Sequence, residues 1–196
     1  MKQSLQLQAW IVEQLKLHEN IKVDQPVSLT VLNGDAGSRQ YFRVNTRPSL
    51  LAVSAPVDSG KSEDACYFAK LSEVLRKEGV PTPQIIACDN AQNFLLIEDF
   101  GDESFLSMLD TDSADLLYSE ASMVLLRMQQ IEPKALNSAG IDLPAYSQKL
   151  LRDELDIFTE WFVEVMLSKV LSDSERKLLD DAFSFLESQA QAQPQV

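Results

Sequence analysis

The chain has 196 residues, of which 45% are hydrophobic, with 17 basic and 30 acidic side chains for a net charge of −13. That balance fills a hydrophobic core, which excludes disordered and collagen-like designs; the acidity, with no Lys/Arg-rich run, excludes nucleic acid as a main partner. A single histidine, His18, excludes a two-His zinc site.

In chain order, Leu5, Leu7, Trp10, Ile11, Gln14 and Leu15 recur at helical spacing, so the first ~17 residues are expected to form an amphipathic helix. The same stretch has no signal-peptide apolar region, and no segment is long enough to span a membrane, so the protein is expected in the cytoplasm. Residues 27 to 57 change period. VSLTVL, YFRVN and LLAVSA are separated by the turns NGDAGSRQ and TRPS, the pattern of an antiparallel meander. A helix is expected from about Ser62, with acidic Glu63 and Asp64 in its first turn and Gly79 as its stop. In VPTPQIIACDNAQNFLLIEDFGD, Pro81 and Pro83 forbid helix, IIACD and FLLIED read as strands, and DNAQN reads as a hairpin turn.

Beyond Asp102 the character shifts to helix, with patterns near 114 to 131, 145 to 168 and 173 to 190. Residues 1 to 100 carry 10 basic and 12 acidic groups and residues 101 to 196 carry 7 and 18, so the acidity belongs to the helical half. Segregated strands and helices argue for an α+β protein in which a five-stranded antiparallel lobe passes to a helical one near Asp99 to Gly101. The expected division is an N-terminal lobe over 1–98, a hinge over 99–102 and a helical region over 103–196. The two cysteines, Cys66 and Cys88, lack CxxC spacing and are expected as reduced thiols.

Three features bear on chemistry. The turn Gly34-Asp35-Ala36-Gly37-Ser38-Arg39 lies between two strands, and its glycines and small side chains let backbone amides approach a phosphate; an ordinary hairpin needing φ > 0 reads the same way. Ala55 to Ser62 fits a relaxed Walker A pattern ending in Lys61-Ser62, which would make the chain a P-loop NTPase. Against it, Pro56 removes an amide donor, and the flanking strands read as antiparallel where a P-loop needs a parallel βαβ sheet. Glu98-Asp99-Phe100 sits where strands give way to helices, and backbone groups at such a hinge can read an adenine edge; a plain linker is the alternative. In the helical half, Asp153, Glu154, Asp156, Glu160 and Glu164, with Trp161 and Phe162, fit a solvated helix face better than a ligand wall.

The glycine-rich hairpin NGDAGSRQYFRV, the strand LLAVSA, the helix end LRKEGVPTPQIIA and the hinge FLLIEDFGD resemble, in order and spacing, the aminoglycoside-phosphotransferase family of the protein-kinase-like fold. GDAGSRQYFRV and LRDELDIFTEWF are similar to its bacterial sugar kinases of cell-wall recycling, which phosphorylate N-acetylmuramate and N-acetylglucosamine at the anomeric position. The resemblance implies an ATP-dependent small-molecule kinase, with a small sugar as second partner and Mg2+ as metal. Gly34, Asp35, Ala36, Gly37, Ser38 and Arg39 would cover the phosphates, and Glu98, Asp99 and Phe100 would bind adenine.

The chain departs from the family pattern at two places. The position of the kinase third-strand lysine is Ser54, a departure the sugar-kinase subgroup shares, with Lys61 or Arg39 as substitutes and Glu63 or Glu73 as helix partner. The His-x-Asp-x-x-x-x-Asn catalytic loop does not occur, because His18 is followed by Glu19 and Asn20. By the resemblance that loop begins after Val196. Catalytic residues and metal ligands are therefore expected outside this chain, which reads as truncated and inactive alone. A non-catalytic nucleotide-binding module is the other expectation. Leu116, Val124, Phe158, Phe162, Leu178 and Phe185 are expected to leave apolar faces uncovered.

Overall fold

The outer faces of a five-stranded sheet set the architecture. The computed structural model describes residues 2–24, 26–32, 38–56, 65–143 and 145–194. By internal contacts the chain divides into two units, Met1–Ile141 and Asp142–Val196.

In the first unit, α1 (Lys2–Lys16) precedes β1 (Lys22–Val23), β2 (Leu29–Leu32), β3 (Gln40–Val44), β4 (Thr46–Arg47) and β5 (Leu50–Ser54). Then come α2 (Ala65–Lys77), β6 (Ile85–Asp89), β7 (Phe94–Glu98), α3 (Phe105–Met108), α4 (Ala114–Gln129) and α5 (Pro133–Ser138). The sheet order is β2-β3-β5-β7-β6, and every neighbouring pair is antiparallel. The five expected strands and the α+β class are therefore present.

Side chains alternate between the two faces of a strand. Phe42, Val44, Leu50, Ala52, Phe94 and Leu96 point to one face, where Leu7, Trp10, Ile11 and Leu15 of α1 bury against them. Val53, Leu95 and Ile97 point to the other, beneath Ala65 and Ala69 of α2. With helices on both faces, β5 and β7 carry unbroken apolar runs, because neither side meets water. The Trp10 and Phe94 rings lie 5.8 Å apart, tilted by 50°.

The small ribbon of β1 and β4 was not legible in the sequence. Two residues on each side, Lys22↔Arg47 and Val23↔Thr46, are too few to show a period. Asn45 holds the neighbouring loop: its Nδ2 donates to the carbonyls of Asp24 (2.6 Å) and Pro26 (3.0 Å), and its Oδ1 accepts from the Ser28 amide (2.7 Å). α4 is tied back to the end of α2, where Arg127 Nη1 donates to the carbonyl of Gly79 at 2.8 Å. Gly79 has φ = 81°, the left-handed geometry of a helix stop.

The second unit holds α6 (Gln148–Ile157), a π-helical segment (Phe158–Met166) and α7 (Asp173–Gln191). The helix expected over 145 to 168 is thus two kinds of helix. In the second part the hydrogen bonds run from i to i−5, as in Leu167 N–H to Phe162 C=O at 3.0 Å. The wider turn sets residues four apart nearly one above another, and the Phe158 and Phe162 rings stack at 5.2 Å. α7 opens with a capping box between Ser172 and Glu175. α6 and α7 are joined through Glu187, a buried carboxylate that accepts from Arg152 Nε and from Gln148 Nε2 (3.0 Å). Arg152 Nη1 also reaches Asp180 at 2.6 Å.

The acids of the proposed solvated face are partly paired: Asp153 with Lys149 at 2.5 Å and Glu164 with Arg176 at 2.9 Å. Trp161, Leu178 and Phe185 are exposed, as are Leu116, Phe158 and Phe162; Val124 is half-buried. Among the described residues no helix is long and apolar enough to cross a membrane.

Candidate functional site

Gly34, Asp35, Ala36 and Gly37, expected to cover the phosphates, lie outside the described residues, as do Lys61 and Glu63. The strands on either side of the loop are paired, Leu32↔Tyr41 closing the β2–β3 register, so the loop joins an antiparallel hairpin. Past it, Ser38 is exposed, and the Arg39 guanidinium sits 5.0 Å from the centre of the Phe68 ring on α2.

Ser54 ends β5, buried between Gln40 of β3 and Phe94 of β7. β5 carries no charged side chain, so it cannot supply the lysine of a kinase third strand. Glu73 is exposed, outside the α2 surface formed by Ala65, Ala69, Ser72 and Val74. It does not face the sheet as a lysine partner would.

The Walker reading of Ala55 to Ser62 is corrected by the topology. β5 has antiparallel neighbours on both sides, β3 and β7, where a phosphate-binding P-loop follows a strand of a parallel βαβ sheet. The described start of that segment is also engaged: the Ala55 amide donates to the Asn93 carbonyl (3.2 Å), and the Pro56 carbonyl accepts from Asn93 Nδ2 (2.9 Å).

Of the candidate residues, those of the expected hinge have the most fully described hydrogen bonding. Asp99 follows β7 with its side chain only 3% exposed, and its carboxylate is fully used. Oδ2 accepts from Arg43 Nε (2.6 Å) and Ser49 Oγ (2.7 Å), and Oδ1 accepts from Arg43 Nη2 (3.2 Å) and the Gly101 amide (2.9 Å). Arg43 also spans to Asp102, donating from Nη1 and Nη2 at 2.8 Å each. One guanidinium on β3 thus grips both ends of the turn 99–102, using the planar donor fork that suits paired carboxylates. The hydrogen bonds from Arg43 hold the Asp99 carboxyl down at about 2, with Ser49 and Gly101 adding to it against the opposing effect of burial. Asp102 is held below the usual carboxylate range for the same reason.

Glu98 faces the other way. Its Oε2 accepts from the Gln84 amide (3.0 Å) and lies 3.5 Å from Arg76 Nη1, bracing β6 and α2 against the end of β7. Its own amide donates to the Gln84 carbonyl (2.9 Å), and the Asp99 amide donates to the Ser49 carbonyl (3.3 Å). Phe100 is 61% exposed. The expected hinge residues therefore have separate roles: Glu98 and Asp99 hold the backbone in place, and Phe100 presents its face outward. Arg43, Ser49 and Asp102 were missed because they gain a role only when β3 and β5 arrive beside the end of β7.

Comparison with known proteins places these features in a family. An N-acetylmuramate/N-acetylglucosamine kinase of Pseudomonas putida is 32% identical over 97% of this chain and 55% of its own length. One of Pseudomonas aeruginosa is 33% identical over 81% of this chain and 45% of its own. The chain spans about half the length of the curated relatives it matches. The solved ternary complex of streptomycin, ATP and APH(2")-IIa superposes with a TM-score of 0.53 at 15% identity, over 90% of this chain and 57% of that one, a likeness of fold. The profile of the phosphotransferase enzyme family matches residues 28–195, and the chain belongs to that family.

Proposed function

We propose that this chain carries the nucleotide-binding part of an ATP-dependent kinase that phosphorylates a hydroxyl of an amino sugar such as N-acetylmuramate or N-acetylglucosamine, in the cytoplasm. The sugar class is supported by the names of its relatives from Pseudomonas. The observation that carries the nucleotide reading is the hinge: a turn clamped by Arg43 through Asp99 and Asp102, at the end of the interior strand β7.

In this reading residues 1–98 form the ATP lobe, 99–102 the hinge and 103–196 part of the helical lobe. Gly34 to Arg39 fold over the phosphates with their backbone amides. Since the amides of Glu98 and Asp99 already have carbonyl partners, adenine is read through the Phe100 amide and the outward carbonyls, with the Phe100 ring beside the base. Arg43 and Asp99 keep that edge in one conformation before the nucleotide arrives, which lowers the ordering cost of binding.

Among the described residues no group of three or more His, Cys, Asp and Glu is arranged to hold a metal. No His-x-Asp-x-x-x-x-Asn segment occurs in the 196 residues to remove the acceptor proton. The chain alone is therefore expected to bind ATP without transferring phosphate. Calorimetric titration with ATP, beside a phosphate-transfer assay on N-acetylmuramate, tests this. Saturable binding without turnover supports the reading; absence of ATP binding removes it, and turnover refutes the assignment of chemistry to residues elsewhere.

A further inference from the structure

Cys66 is the second residue of α2, and Cys88 lies on the edge strand β6, yet their sulfurs stand 3.5 Å apart. The approach is set by the backbones on both sides. The amide of Ala65 donates to Asn93 Oδ1 at 2.6 Å, which fixes the start of α2 over the turn that follows β6. Midway along α2, Ser72 Oγ donates to the Pro83 carbonyl (2.9 Å) and Thr82 Oγ1 to the Ser72 carbonyl (2.8 Å), which fixes the chain entering β6. Helix and strand are held at two points, and the cysteines face each other between them. A disulfide needs its sulfurs about 1.5 Å closer than this.

We propose that Cys66 and Cys88 are a redox pair that closes reversibly into an intramolecular disulfide, stapling the first turn of α2 to β6. The oxidant is a low-molecular-weight disulfide such as oxidised glutathione. Cys88, the more exposed sulfur, loses its proton to solvent and attacks one sulfur of the glutathione disulfide; that S–S bond breaks, and one glutathione leaves as thiolate. The Cys66 thiolate then attacks the Cys88 sulfur of the mixed disulfide, forming the internal S–S bond and expelling the second glutathione. Two protein thiols are oxidised, one glutathione disulfide is reduced to two glutathiones, and the two thiol protons end on those products. A low-molecular-weight thiol reverses both steps.

The test is to incubate the full chain with oxidised glutathione, alkylate it after denaturation, and read intact mass and a non-reducing gel. The expected product is a monomer lighter by two hydrogens that takes up no alkylating agent, with Cys66 and Cys88 peptides joined in a proteolytic map. Dithiothreitol should restore two alkylatable thiols. Cys66→Ser and Cys88→Ser should each keep one thiol and stop at a glutathione adduct. The proposal is overturned if both thiols stay alkylatable, if each sulfur carries its own glutathione, or if the bridge joins two chains. The wild-type map decides even where a serine variant folds poorly.

Discussion

Arg43 and Asp99 are joined by two hydrogen bonds, Nε to Oδ2 at 2.6 Å and Nη2 to Oδ1 at 3.2 Å, across 56 positions of sequence. A side chain near the end of β3 thereby helps decide where the chain goes after β7. The same guanidinium holds Asp102, so one residue ties both ends of the turn.

This pairing makes stability depend on pH. The Asp99 carboxyl sits at about 2 in the folded protein, against an ordinary 3.8, so the folded state binds the anion more tightly than the unfolded chain does. The resulting stability, on the order of 2 kcal/mol, is fully present above pH 4 and is lost as pH falls through about 2. Glu175 in the second unit is also held at about 2, first by Lys169, and so titrates in the same window. Urea melts of wild type and Asp99→Asn from pH 7 to pH 2 separate the two. The difference between them should shrink toward zero at the acid end, and a constant difference would count against the Arg43–Asp99 account.

Asn93 tests how the start of α2 is held. It is buried at φ = 56°, accepts from the Ala65 amide and donates to the Pro56 carbonyl. Asn93→Ala strands a buried amide and places an alanine in left-handed geometry, for a loss of about 3 kcal/mol. Asn93→Gly keeps the backbone geometry open and should lose less, about 2 kcal/mol. Chemical denaturation of both variants checks the order.

Leu96 lies at the centre of β7, fully buried against α1. Leu96→Ala removes most of its side chain from a site enclosed by Trp10, Phe42 and Phe94, and should cost about 3 kcal/mol, within the range for buried leucines. An equal loss for Leu106→Ala, where the side chain is 81% exposed, would contradict this placement of the core.

For the nucleotide, Gly34→Val and Gly37→Val add bulk to the loop we propose covers the phosphates. Each should weaken ATP binding at least about tenfold, or about 1.4 kcal/mol, while Lys61→Ala should leave it within about twofold. A larger loss at Lys61 than at either glycine would contradict the proposed phosphate contact at Gly34 to Arg39.

The helical region exposes Phe105, Leu116, Trp161, Leu178 and Phe185. Surfaces with this much apolar area bind hydrophobic dyes and self-associate. The purified chain should enhance anilinonaphthalene sulfonate fluorescence and sediment with concentration-dependent mass. A clean monomer with no dye binding would contradict that expectation.

Local signals carried much of this protein. The spacing of Leu7, Trp10, Ile11 and Leu15, the apolar runs around Val53 and Leu95, and the breaks at Pro81, Pro83 and Gly79 each act within a few residues, so helix, strand and stop were legible before any partner was known. The glycine-rich hairpin and the hinge are expectations of the same local kind, resting on a resemblance built from contiguous segments. The tertiary structure decided what depends on distant segments meeting. It inserts β7 between β5 and β6, gives the Asp99 side chain to Arg43, and leaves Ser54 between two strands with no charge on β5 to replace a lysine. It also brings Cys66 to Cys88 and pairs two-residue strands too short to have a period. These are relations between side chains 22 to 56 positions apart, and a periodicity read over one or two turns holds no information about them.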